Sequence, residues 1–189
     1  MLKTKIKDKY QGLSRQELLD KVYDLGFNYE KYSESCSQTT ATALHEILDI
    51  DDVVVKVATS VCAGHAGEVI GTCGALIGGT MVLDYFFGRP VEKMSRQERI
   101  EANLEPLANA IGVAHSLYDK YFKKYGTILC PHIHVQLYGR HYYFLDPDEM
   151  EKFNKAGGHS DPEKSCCMVV GTAARWVMEI LLDKGVVEL

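Results

Sequence analysis

The run CGALIGGTMVLDYFFG, residues 73–88, carries a single charged residue, Asp84. A helix this apolar has to be covered on most sides, so it requires other elements packed around it. The flanking sequence supplies helices. Ser14-Arg15-Gln16-Glu17 is a capping box, and Gly26 stands where a C′ residue would close the helix it opens. A second helix is expected from about Ser35 through CSQTTATALHEIL, and a third from near Asp51. Ser95-Arg96-Gln97-Glu98 is another capping box, predicting a long helix to Tyr125 that Pro106 kinks and Gly126 ends. Asp146-Pro147 reads as an N-cap with an N1 proline, and CCMVVGTAARWVMEILLDKG as the closing helix, with Gly185 after it. Only CPHIHVQLYGRHYYFLDP departs from this pattern. Its alternation and its β-branched and aromatic residues predict extended chain or a short hairpin. The expected fold is all-α: a single-domain helical bundle over residues 1–189, with a short irregular or β-like insertion near residues 130–145.

At 189 residues such a domain buries roughly 70% of its unfolded surface and needs no disulfide staples. The formal charge of −5 gives no footprint for nucleic acid or an anionic membrane surface. Neither a signal-peptide core nor a membrane-spanning run stands out, so membrane insertion is not expected and the expected location is cytoplasmic. Thiols stay reduced there, and six cysteines then read as ligands or reactive groups.

The positions of the cysteines narrow this further. Cys36, Cys73, Cys166 and Cys167 fall at expected helix N-termini, and Cys130 follows the loop after the long helix. A helix N-terminus favours negative charge by roughly 0.3–1 kcal/mol, which is expected to lower a thiol pKa. The stretch SVCAGHAGEVIGTCGALIGG, residues 60–79, adds glycines to thiols without forming a phosphate loop. Gly64, Gly67, Gly71 and Gly74 are expected to let the backbone turn with φ > 0 and aim N–H groups at an anionic centre. Gly74 and Gly78, one helical turn apart, leave room for another helix or a cofactor. His65 is the histidine expected beside such a centre. His132-x-His134, on the expected strand, reads as a satisfied surface or core pair.

Cys36, the block Cys73-Gly74-Ala75-Leu76-Ile77-Gly78, Cys130 and Cys166 together resemble the redox-active protein family named for its C-GCAxxG-C-C pattern. The similarity spans about residues 32–182, and Cys166, followed by x-x-Val-Val, fits the last position better than Cys167. The resemblance implies a helical redox domain with four cysteines gathered at one site. A related domain occurs in split-Soret cytochromes beside an iron–sulfur centre and haem. This chain has no C-x-x-C-H, so covalent haem is not expected. The leading reading is a [2Fe–2S] cluster on Cys36, Cys73, Cys130 and Cys166 that serves electron transfer to an unidentified redox partner protein. Two alternatives stand beside it: a thiol–disulfide or persulfide oxidoreductase using low-pKa cysteines, and a structural zinc site. Apolar surface on residues 73–87 and 138–144, together with dimeric relatives among the cytochromes, predicts a homodimer.

Overall fold

The computed structural model describes residues 2–189, which form eight α-helices and no strand. They are α1 (Arg15–Ser33), α2 (Cys36–Ile47), α3 (Asp52–Val57), α4 (Gly74–Phe87), α5 (Glu105–Tyr125), α6 (Cys130–Tyr138), α7 (Pro147–Lys155) and α8 (Cys166–Asp183). The apolar helix, α4, is central: it packs on α2, α5 and α8, while α1 lies along α8. Leu44 and Ile47 of α2, Leu76 of α4, Leu117 of α5 and Met178 and Leu181 of α8 fill the core between them, all fully buried. Among the described residues no helix is long and apolar enough to cross a membrane.

Two glycine crossings set the helix spacing. A Cβ on Gly78 would run into the carbonyl of Ser37, so α4 lies backbone to backbone on α2. A Cβ on Gly26 would stand 3.1 Å from the Gly171 Cα, and one on Gly171 2.8 Å from the Tyr23 carbonyl oxygen, so α1 and α8 touch in the same way. Gly26 is therefore no C′ residue. α1 continues past it to Ser33 and ends with Glu34 in the left-handed region (φ 51°).

The N-terminal signals divide. The Ser14–Glu17 box forms with both of its hydrogen bonds, Asp146 caps α7 through the N–H groups of Asp148 and Glu149, and Ser165 caps α8. The Ser95 box opens no helix. The chain bends through residues 96–100, and α5 starts at Glu105 with Pro106 in its first turn. A proline is unstrained there, since it lacks only an N–H that would have no partner, whereas mid-helix it would break the ladder. The β-like insertion is also corrected, because Cys130–Tyr138 is helix α6 and only residues 139–146 are irregular. The apparent alternation of CPHIHVQLY coincides with a helical face on which Cys130, Ile133 and His134 turn inward. Pro131 stands in its first turn, and Gly139 (φ 78°) stops it.

The surplus apolar surface expected on α4 is largely taken up within the chain, where Val82, Leu83 and Phe86 are core. On the second stretch, residues 138–144, Tyr142 is buried and Tyr143 stays exposed.

The two kinds of glycine can be told apart by substitution. Gly78→Ala drives a methyl group into backbone and should lose about 1–3 kcal/mol of stability. Gly112→Ala, on an open face of α5 with nothing within 4 Å, should gain about 0.5–1 kcal/mol. Urea denaturation of the two variants beside the parent protein checks both signs.

Candidate functional site

Four helices begin at one cavity. Cys36, Cys130 and Cys166 are the first residues of α2, α6 and α8, and Cys73 is the N-cap of α4. All four line a cavity of about 140 Å³. The first N–H groups of a helix have no partner within it, and here several of them anchor the site. Cys73 N–H donates to the Ile128 carbonyl (2.8 Å) and Cys130 N–H to the Gly71 carbonyl (2.9 Å), an isolated antiparallel bridge between Thr72 and Leu129 that clamps the start of α4 to the start of α6. Cys166 N–H donates to the Gly158 carbonyl at 2.9 Å. Gly74 lets the backbone pass Cys36, because a Cβ there would strike the Cys36 sulfur.

A hydrogen-bonding group faces each of the four sulfurs. Ala63 N–H donates to Cys36 Sγ (3.3 Å). The Tyr121 hydroxyl lies 3.9 Å from Cys73 Sγ, and the Tyr138 hydroxyl donates to Cys166 Sγ at 3.9 Å. His134 Nε2 stands between two thiols, 3.8 Å from Cys130 Sγ and 3.7 Å from Cys166 Sγ. Its ring lies parallel to Phe153 at 5.5 Å and meets Tyr138 edge-on at 5.6 Å.

Burial decides the protonation of these groups. Desolvation pushes the Cys36, Cys73, Cys130 and Cys166 thiols above the ordinary thiol value. The negative charges of Glu30 and of neighbouring sulfurs add to the rise at Cys36. N–H groups of Ala75 and Leu76 oppose it at Cys73 without closing a full cap hydrogen bond. The expectation that helix N-termini would lower these pKa values is therefore overturned: a terminus worth about 1–2 kcal/mol at best does not offset loss of water around a thiolate. Tyr121, also raised by burial, keeps its proton and can donate toward Cys73. Burial lowers His134 to about 4, so its imidazole is neutral at physiological pH.

The other expected site residues separate. Gly67 lines the cavity. Gly64 (φ 68°) and Gly71 shape the loop behind it, Gly71 N–H donating to the Gly64 carbonyl at 2.9 Å. Exposed His65 is not among the lining residues; the imidazole that faces the thiols is His134. His132 is exposed, so the two histidines of His132-x-His134 are not a pair. The spacing Cys130-x-x-x-His134 carried the signal, since four residues share a helical face, but it was hidden by the strand expectation. Sequence reasoning also missed Glu30, 3% exposed, which accepts from the Thr39 hydroxyl at 2.7 Å and lines the cavity with His159. Cys62 is a fifth thiol on the wall, while Cys167 is fully buried outside it and raised to about 12.

Among the described residues no three His, Cys, Asp or Glu side chains converge on a point that would hold a single metal ion. The thiols are instead spread around the cavity wall. The raised thiol values carry a pH signature. Folded-state pKa values above the ordinary thiol value of about 9 keep protons on the folded protein that the unfolded chain releases. The associated stability is full below pH 9 and is lost as pH rises beyond it, by about 1.4 kcal/mol per pH unit for each buried thiol. Urea denaturation of the reduced, metal-free protein at pH 8, 9 and 10 should show this decline, and Cys73→Ser should make it shallower.

A family model described as "Putative redox-active protein (C_GCAxxG_C_C)" matches residues 34–180, which include all four cavity cysteines that begin helices and the CGALIG block. No curated protein and no solved structure matches the chain. With most of its length covered by that model, from just before α2 into α8, the chain belongs to the C_GCAxxG_C_C family of redox-active proteins.

Proposed function

We propose that this protein is an electron carrier holding an iron–sulfur cluster, of the [2Fe–2S] type, on Cys36, Cys73, Cys130 and Cys166. The observation that supports this reading most is that four helix N-termini present four thiols around one cavity with a hydrogen-bonding group facing each sulfur. The donor set fits the group: soft sulfur is what iron–sulfur clusters take, and a group with volume of its own suits thiols that do not meet at a point. Bound there, the cluster would supply one-electron oxidation and reduction.

The chain's own residues would do the rest. Four helix N-termini offset the negative charge of four thiolates. Ala63 N–H, the Tyr121 and Tyr138 hydroxyls and the His134 edge are placed to hydrogen-bond their sulfurs, and such bonds set the potential. Val169, Val170 and Phe144 line the same cavity and make that part of its wall apolar. The thiol-oxidoreductase reading draws less support. Its nucleophile has to be a thiolate, and burial holds these four sulfurs protonated.

Protein purified anaerobically, or reconstituted with ferrous iron and sulfide, should be brown and contain iron and acid-labile sulfide. Serine at Cys36, Cys73, Cys130 or Cys166 should lose or severely destabilise the centre, while Cys167→Ser and Cys62→Ser should retain most of it. Colourless, iron-free protein after reconstitution would overturn the cluster reading in favour of a thiol enzyme. A full cluster in Cys73→Ser, or its loss in Cys62→Ser, would move the ligand assignment to Cys62.

A further inference from the structure

His134 is 1% exposed and stands between two thiols, a placement that asks which of its two ring nitrogens does the work. Nε2 is the nitrogen at the sulfurs. Nδ1 is buried with no hydrogen-bond partner. Nδ1 lacks a partner whether or not it carries a proton, so it does not decide between the tautomers. The sulfurs decide: a protonated thiol can donate to a bare Nε2, whereas thiolates that share a cation can only accept, which places a proton on Nε2.

The same observation bears on direct metal ligation. A histidine that binds a metal through one nitrogen almost always donates its other N–H to a carboxylate, a carbonyl or a water, which fixes the ring. Nδ1 of His134 has no such acceptor. The ring is fixed instead by aromatic walls. Phe153 lies against it, Tyr138 and Phe144 flank it at 5.6 and 5.5 Å, and Gly158 leaves the space that Phe153 occupies.

We propose that His134 is a positioning residue rather than a ligand: its Nε2–H, shared between Cys130 Sγ and Cys166 Sγ, holds the first residues of α6 and α8 in register across the cavity. This role rests on the cluster reading above, which makes both sulfurs thiolates and so acceptors only. A donor at the sulfurs stabilises the more negative, reduced state, so His134 raises the potential of whatever those two sulfurs hold.

Two measurements test this. In reduced, reconstituted protein, electron–nuclear double resonance should show an exchangeable proton coupled to the centre that is lost in His134→Phe, and a spectrum unchanged by the substitution overturns the proposal. In reconstituted protein, His134→Phe keeps the ring in its aromatic cage and removes the donor, so its potential should shift negative, and His134→Gln should restore most of the shift. An unchanged potential in His134→Phe, or a strong directly bonded ¹⁴N coupling in the reduced parent protein, overturns the positioning role and leaves the cluster reading standing. Parent protein that takes up no iron or sulfide defeats the cluster reading and this role with it, a result distinct from an unchanged potential in loaded protein.

Discussion

Where α4 crosses α2 there is no room for a side chain, and the site depends on that contact. Gly78 lies on the Ser37 carbonyl, and one turn earlier Gly74 lies on the Cys36 sulfur and the Cys62 backbone. The first contact sets the depth at which the two helices meet. The second puts the start of α4 beside the start of α2, so that Cys73 and Cys36 open onto the same space. Any residue with a Cβ would push the helices apart at the point where two of the four thiols are placed. The CGALIG block is thus a packing device first, and the cavity follows from it. The Gly26–Gly171 crossing does the same for α1 and α8 and brings Glu30 and Cys166 to the opposite wall.

Two effects of opposite sign act on the sulfurs, and their sizes decide between them. The start of a helix favours a thiolate by about 1–2 kcal/mol at best, and burial in apolar surroundings can raise an acid by several pKa units. Burial prevails at all four cysteines, whose thiols are raised. Helix termini and facing donors therefore do not create free thiolates here. They reduce the energy needed to form them once a positive centre is present, which is a different role from the one that cysteine at a helix start suggests by itself.

Much of this architecture was legible in the sequence, and the failures have definite causes. Capping chemistry is local, so Ser14, Asp146 and Ser165 could be recognised from neighbouring residues. The Ser95 box is equally local and opens no helix, because Pro106 has its unstrained place in a first turn and the helix starts next to it. Gly26 was ambiguous for the opposite reason: whether a glycine ends a helix or permits a crossing depends on Gly171, far away in the chain. Helix α6 was misread because CPHIHVQLY alternates over a length too short to distinguish the two periods. That error concealed His134, since on a strand it would have faced the same side as the exposed His132. The convergence of Cys36, Cys73, Cys130 and Cys166 on one cavity was expected from the family pattern, not from spacing. Nothing in the separations of those residues encodes it.

Glu30 supplies the last step. A buried carboxylate on the wall of a thiol cavity is a poor companion for thiolates, and its charge raises Cys36, Cys73 and Cys166. Thr39 holds one of its oxygens at 2.7 Å, and His159 Nε2 lies 3.7 Å from the other. In a thiol enzyme this arrangement would work against the nucleophile from which the reaction starts. A cluster on four thiolates stays anionic overall, so there too the carboxylate is a repulsive neighbour and disfavours the added electron. Its charge therefore does not separate the two readings: it disfavours a bare thiolate at Cys36, Cys73 and Cys166, and in a cluster site it opposes the donors that face the sulfurs and holds the potential down.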